Sequence, residues 1–346
     1  MRWTSFEQLR KQLAIINDYL ETTVKSEKII ADAVSKGSSM VTLKEYAMKE
    51  RMFRYKAIII SIYGAFEQYI EQLLSEYVRK QYDIVHKFTE LNEKIQSNYV
   101  EKWKKLHGKL DYPKYSSFTE EGLVRNLFDV VCNNNNHILP ECYMKNGGNY
   151  KYNVIVEMLS ELGVNDTTVV EKYCAVSSDD SITYRTIIDS IDDIVDRRNS
   201  IAHTIGDPDE LLSDDILQSY LGYVIVFTEG LMRYLEDKIL EMQWVGHQNE
   251  KDKLHVFNTM KQARVLVLED VADVSINRNQ SLLICLPKGH YPRYIQTKVE
   301  GMRVRENEGD SIIEVDQIVS TKTYKGVSFR ITKEAGLNNK AKVMAL

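Results

Sequence analysis

Along the first two thirds of the chain apolar residues recur every three or four positions, the period of a helix with one buried face. Phe6, Leu9, Leu13, Ile16 and Leu20 predict a helix over residues 5–27, closed by the polar break Ser35-Lys36-Gly37-Ser38-Ser39. Tyr55, Ile59, Ile62, Phe66, Tyr69, Ile70, Leu73 and Tyr77, widened by Ile58 and Ile60, predict a long central helix from about Leu43 to Tyr82. Gly64 in its middle costs up to about 1 kcal/mol relative to alanine, which suits a second helix crossing closely there. Helices are expected again from Thr119 to Val131 and from Asn153 to Leu162. Between them the run Cys132-Asn133-Asn134-Asn135-Asn136, then Pro140, Gly147 and Gly148, reads as a long loop reaching Tyr150.

The stripe Ile182, Ile187, Ile188, Ile191, Ile194, Val195, Ile201 and Ala202 predicts a helix that runs out at Gly206-Asp207-Pro208. Ser213 is a good N-cap, with Asp214 and Asp215 at the positive helix end. Leu217, Tyr220, Val224, Phe227, Leu231 and Tyr234 then predict a helix to about Met242, antiparallel to the one before it. After the polar stretch from Gly246 to Lys253 the pattern shortens. Runs at 264–268, 282–286, 294–299, 312–315 and 327–331 are strand-like and are separated by turn residues. The expectation is an α+β multidomain chain: an all-α helical-bundle domain over 1–245, a linker over 246–258, and a small antiparallel all-β, barrel-like domain of five or six strands over 259–346.

Composition removes several classes of function. No apolar run approaches the roughly 20 residues that span a bilayer, and no apolar leader core follows the first residues, so no membrane partner and a cytoplasmic location are expected. Cys132, Cys142, Cys174 and Cys285 have no paired spacing, and the histidines form no ligand pair. No metal and no cofactor are therefore expected, and phosphate-binding glycine loops and the nucleophile-elbow motif are missing as well. The net charge of −5 divides unevenly: Thr259 to Leu346 holds 14 Lys and Arg against 10 Asp and Glu, so its net is +4 and that of the preceding residues is −9.

Against this background two features carry chemistry. Residues 98–115 interleave Lys102, Lys104, Lys105, Lys109 and Lys114 with Tyr99, Trp103, Tyr112 and Tyr115. Cations beside stackable rings suit single-stranded nucleic acid, and a solvated helix end with aromatic anchors gives the same pattern. Arg198 breaks the apolar stripe of its helix, four residues after Ile194 and four before Ala202, with Asn199 next to it and His203 one turn on. A cation on that face needs an anionic partner. Either a carboxylate such as Asp196 or Glu67 neutralises it while His203 caps its own helix, or it awaits a ligand. Glu67, within the long central helix, is either a solvated edge residue or an orienting carboxylate for Arg198 or His203.

Arg198-Asn199 followed by His203 resembles the R-x(4–6)-H motif of the HEPN superfamily. The segment AIIISIYGAFEQYIEQLL at 57–74 is similar to the first core helix of the RiboL-PSP-HEPN ribonucleases, in which a Tyr-x-x-Phe-Glu pattern recurs; Tyr63, Phe66 and Glu67 match it. The resemblance covers about residues 40–242 and leaves the β region without a family. It implies a helical domain that forms a homodimer through the motif helices and cleaves RNA without metal, often as a toxin or an antiviral-defence effector restrained by an antitoxin or a second system component. Some members are non-catalytic RNA-binding or interaction modules. Many carry a tyrosine soon after the motif histidine, where this chain has Thr204 and Ile205.

Residue chemistry fits that implication. Histidine gives or takes a proton near neutral pH, and arginine grips phosphate oxygens in pairs. On an ideal helix five residues turn about 500°, so Arg198 and His203 stand about 140° apart and roughly 7.5 Å along the axis. Either the helix loosens before His203, or two chains pool their motifs in one cleft.

Overall fold

The computed structural model describes residues 2–35, 41–145, 149–174, 183–203, 210–246, 253–260, 264–269, 274–287, 289–332 and 341–346. The breaks expected at 36–39, 147–148 and 206–208, and residues 247–252 of the expected linker, lie outside them. The chain divides into two compact units, Arg2–Met232 and Arg233–Leu346, so the division falls within a helix.

The first unit holds α1 (Thr4–Ser35), α2 (Val41–Gln81), α3 (Glu93–His107), α4 (Glu120–Val131), α5 (Tyr152–Glu161), α6 (Tyr184–His203) and the start of α7 (Asp214–Gly246). α1 outlasts its apolar stripe, with neither glycine nor proline among residues 28–35 to break it. It lies antiparallel on α2, as its polar contacts show: the Ser5 hydroxyl donates to Glu76 (2.8 Å), the Gln12 amide to Gln68 (3.0 Å), and Glu27 receives Arg54 (2.7 Å). Arg54 is only 1% exposed and also meets Glu50 at 3.4 Å and Asp214 at 3.5 Å, so one buried cation ties α1, α2 and α7. Removing one side of such a cluster typically costs about 3–5 kcal/mol, since the other charges are left unpaired in the interior.

α2 buries Ile59, Ile62, Phe66, Ile70 and Leu73 and is the core helix that its pattern predicts. Two expectations fail on its opposite side. Ile60 is 48% exposed rather than buried, and a Cβ added to Gly64 would meet nothing within 4 Å, so among the described residues no helix crosses closely there. Thr119 caps α4 by accepting from the Gly122 N–H (3.1 Å). α6 makes its close backbone approach to α2. The link to α7 is through side chains, with the Tyr220 hydroxyl donating to Asp193.

In the second unit the last turns of α7 pack Leu240 and Trp244 against Leu283, Tyr294 and Met344, and Asp237 accepts the Tyr294 N–H (2.7 Å). The strands are β1 (Lys253–Met260), β2 (Val265–Glu269), β3 (Ile276–Asn277), β4 (Ser281–Cys285), β5 (Tyr294–Arg305), β6 (Ile313–Val315), β7 (Gln317–Ile318), β8 (Gly326–Ile331) and β9 (Lys342–Ala345). A seven-stranded antiparallel sheet runs β4-β9-β1-β2-β8-β5-β6, β4 also pairs with β5, and β3 and β7 form a separate two-stranded pair. These pairings go no further toward the expected barrel-like form than the extra β4–β5 ladder. β1 begins inside the stretch read as linker, and its pairing with β2 and β9 makes a strand of a segment too polar to announce one. Leu254, Leu266, Leu282, Val304, Phe329 and Val343 form the centre of the unit's core.

Candidate active site

Near the end of α6 two adjacent arginines point to different surroundings. Arg197 is held by Asp193 (2.6 Å) and donates to the Tyr55 hydroxyl (3.0 Å), which ties α6 to α2. Arg198 is half-buried and meets no carboxylate within 4 Å among the described residues. Its guanidinium lies over the Tyr63 ring, 4.8 Å from the centroid, and donates to Asn199 Oδ1 (3.0 Å). Asp196, one carboxylate that could have neutralised it, is instead paired with Lys151 at 2.6 Å.

A chain of hydrogen bonds fixes this arrangement. Asn199 Nδ2 donates to Asn149 Oδ1 (2.6 Å), and the Asn149 N–H donates to the Tyr63 hydroxyl (2.6 Å). The Tyr150 N–H reaches the same hydroxyl at 3.4 Å, and Tyr63 hydrogen-bonds in turn to Glu67. Asn149 holds φ at +65°, a left-handed conformation that asparagine tolerates better than most residues. α2, the segment before α5, and α6 thus meet at one polar ring, with Arg198 on it.

Glu67 is half-buried. Burial pushes its carboxyl above the usual carboxylate range and nearby Glu71 adds to this, while Arg198, Lys114 and the Tyr63 hydrogen bond oppose it. Burial, then the field of Glu67, raises the Tyr63 phenol. Glu71 itself accepts from the Tyr150 hydroxyl (2.6 Å) and pairs with Lys114. Glu67 therefore acts on Arg198 through its field and through Tyr63, not by a direct ion pair.

His203 is the last residue of α6, is exposed, and has no hydrogen bond or ion pair among the described residues. The helix stays regular to that point, so Arg198, Asn199, Tyr63 and Glu67 are brought together and His203 is set apart from them. Residues 204–209, which include Thr204 and Ile205, are outside the described set.

The α3 patch is placed differently from its sequence reading. Lys102 pairs with Glu161, Lys104 with Glu101 (2.8 Å), and the Trp103 indole donates to the Leu123 carbonyl (3.0 Å) while stacking on His107. Tyr99 and Tyr115 are buried, so of the interleaved rings only Tyr112 is an open face. Lys105 stays exposed. Lys109 titrates below the usual lysine range through burial and then the fields of Lys105 and Lys102, which marks a local concentration of positive charge.

Among the described residues no group of three His, Cys, Asp or Glu could hold a metal ion, and no helix is long and apolar enough to cross a membrane. No curated protein matches the chain. A family model described as RiboL-PSP-HEPN matches residues 49–241, more than half of the 346 residues, and stops before the first strand.

Proposed function

The chain belongs to the RiboL-PSP-HEPN family, and we propose that it is a metal-independent endoribonuclease whose cleft is built by two copies. One observation carries the reading: a half-buried guanidinium, held from three elements by Tyr63, Asn199 and Asn149, meets no carboxylate among the described residues. Such a group is poised for phosphate oxygens, which a fork of donors binds in pairs. Arg198 takes the scissile phosphate and balances its charge as it becomes five-coordinate, with Asn199 aligned beside it. A histidine removes the proton of the ribose 2′-OH as that oxygen attacks phosphorus. The bond to the 5′-oxygen breaks, that oxygen receives a proton from a second acid, and a 2′,3′-cyclic phosphate remains.

One chain offers a single motif histidine for these two proton transfers, and it stands off the Arg198 face. Two features support a second copy as its complement. α6 remains helical to His203, which disfavours a local loosening. α2 also carries a seam left open among the described residues: Tyr46, Phe53 and Ile60, seven residues apart and 56%, 72% and 48% exposed, alternate with Ala57 and the open Gly64. Spacings of four and three are those of a helix seam that meets another helix, and a two-fold contact there sits one turn from Tyr63 and Glu67. Lys105 and its neighbours on α3 serve as an outlying RNA contact. A toxin or antiviral-defence role, with an antitoxin or second component in restraint, completes the reading; the alternative is an RNA-binding module without catalysis.

The test contrasts the two arginines. Arg198→Ala should reduce RNA cleavage by about 10²-fold or more while its melting temperature stays near that of the parent. Arg197→Ala should instead lower the melting temperature. Undiminished cleavage by Arg198→Ala sinks the assignment, and RNA binding without any cleavage by the parent favours the non-catalytic module.

A further inference from the structure

The second unit contains a groove of about 350 Å³ on the outer face of β2, β8 and β5, walled by Ile312 and Glu314 at β6. Strand register explains it. Val265 stands opposite Arg330, which stands opposite Gly301; Val267 opposite Ser328, opposite Arg303; and Gly326 opposite Arg305. Side chains alternate between faces, so every outward row combines one arginine with one or two small residues. The small residues make the trough and the arginines rise from it.

Charge within the trough is only loosely engaged. Arg303 meets Glu314 at 3.7 Å and Arg330 meets Glu300 at 3.5 Å, with all four side chains about half exposed. Pairs of that kind exchange readily with a better partner. The Arg305 side chain has no hydrogen bond or ion pair among the described residues. A Cβ added to Gly301 would lie 3.6 Å from both Arg330 Nη2 and Glu314 Oε1, so a guanidinium and a carboxylate overhang one bare stretch of backbone.

A plain anion suits the arginines and is repelled by Glu314. A plain apolar ligand suits Val265 and Val267 and leaves the charges unanswered. The matching chemistry has an anionic end, hydrogen-bond donors and a flat apolar body in one molecule of the size that such a groove admits. We propose that this groove binds a nucleotide, with its phosphate on Arg303, Arg305 and Arg330, its ribose or base N–H and O–H groups on Glu314, and its ring over Val265 and Val267. This site lies wholly in the part of the chain that the family match does not reach.

Equilibrium dialysis of the full chain against the four ribonucleoside 5′-monophosphates tests it, with adenosine, inorganic phosphate and a trinucleotide RNA in parallel. At least one mononucleotide should bind with a Kd below about 1 mM, and adenosine and phosphate at least about tenfold more weakly. The exposed pair Arg303→Ala/Arg330→Ala should lose about tenfold or more in affinity at unchanged melting temperature. If the trinucleotide gains further and loses the gain in that variant, an RNA strand is the source of the nucleotide; equal binding marks the free nucleotide. No binding at millimolar nucleotide, equal binding by the double variant, or phosphate binding as tightly as nucleotide overturns the proposal. The readout is binding, so it stands or falls separately from RNA cleavage.

Discussion

Arg197 and Arg198 are neighbours in sequence and differ in what answers their charge. An i,i+4 aspartate and a phenol occupy Arg197, whereas Arg198 has an aromatic face and an amide. The apolar stripe of α6 singled out Arg198, and the motif spacing singled out Asn199 and His203. Tyr63 and Glu67 were legible from the long helix. Asn149 was not, because its part depends on a loop that folds 50 residues away from Asn199; the only local sign was its place at the end of the long Asn- and Gly-containing loop. Glu67 supplies a test at this scale. Its folded carboxyl titrates above its unfolded value, chiefly through burial, so its contribution is fully present below the unfolded value and is lost as pH rises through the folded one. Glu67→Gln keeps an acceptor for Tyr63 and removes that loss. Its melting temperature should match the parent near pH 4 and exceed it by roughly 1–3 °C at pH 7, as thermal scans across that range would show; a variant less stable at pH 7 than the parent contradicts the account.

α2 has two faces with different purposes. Its buried face was legible because apolar residues at helical spacing report burial, and α1, α4, α5 and α6 were found on the same ground. Ile60 was misread because an apolar residue beside the stripe looks the same in sequence whether it is buried or, as here, about half exposed. Gly64 was misread because a glycine permits close approach without requiring it, and here its surroundings are open. The β region shows the reverse failure. β1 and β9 are built from KLHVFNTM and KVMA, the first too mixed to stand out and the second too short, and only pairing with β2 and β4 makes them strands. The seam on α2 predicts that Ile60→Glu, which places a charge where the side chain is already solvated in one chain, leaves the monomer folded, shifts its mass in light scattering from two chains to one, and removes cleavage. A monomeric parent, or a monomeric Ile60→Glu that still cleaves, contradicts the composite cleft.

The molecule combines a helical unit that holds most of the family match with a unit whose strands all lie beyond it. The first supplies Arg198, the proposed phosphate contact, and the second offers the groove proposed for a nucleotide, so both proposals call for phosphate-bearing partners. The net charge of −5 conceals this, because the basic excess is confined to the last 88 residues. The central claim concerns the first unit and rests on His203, the proposed proton carrier, which is exposed at the end of α6. The most direct measurement is incubation of the purified full chain and of His203→Ala with tRNA in EDTA, with the new RNA ends identified. The account predicts fragments ending in 2′,3′-cyclic phosphate from the parent and about 10²–10⁴-fold less from the variant; equal cleavage by the two chains, or cleavage that EDTA abolishes, would contradict it.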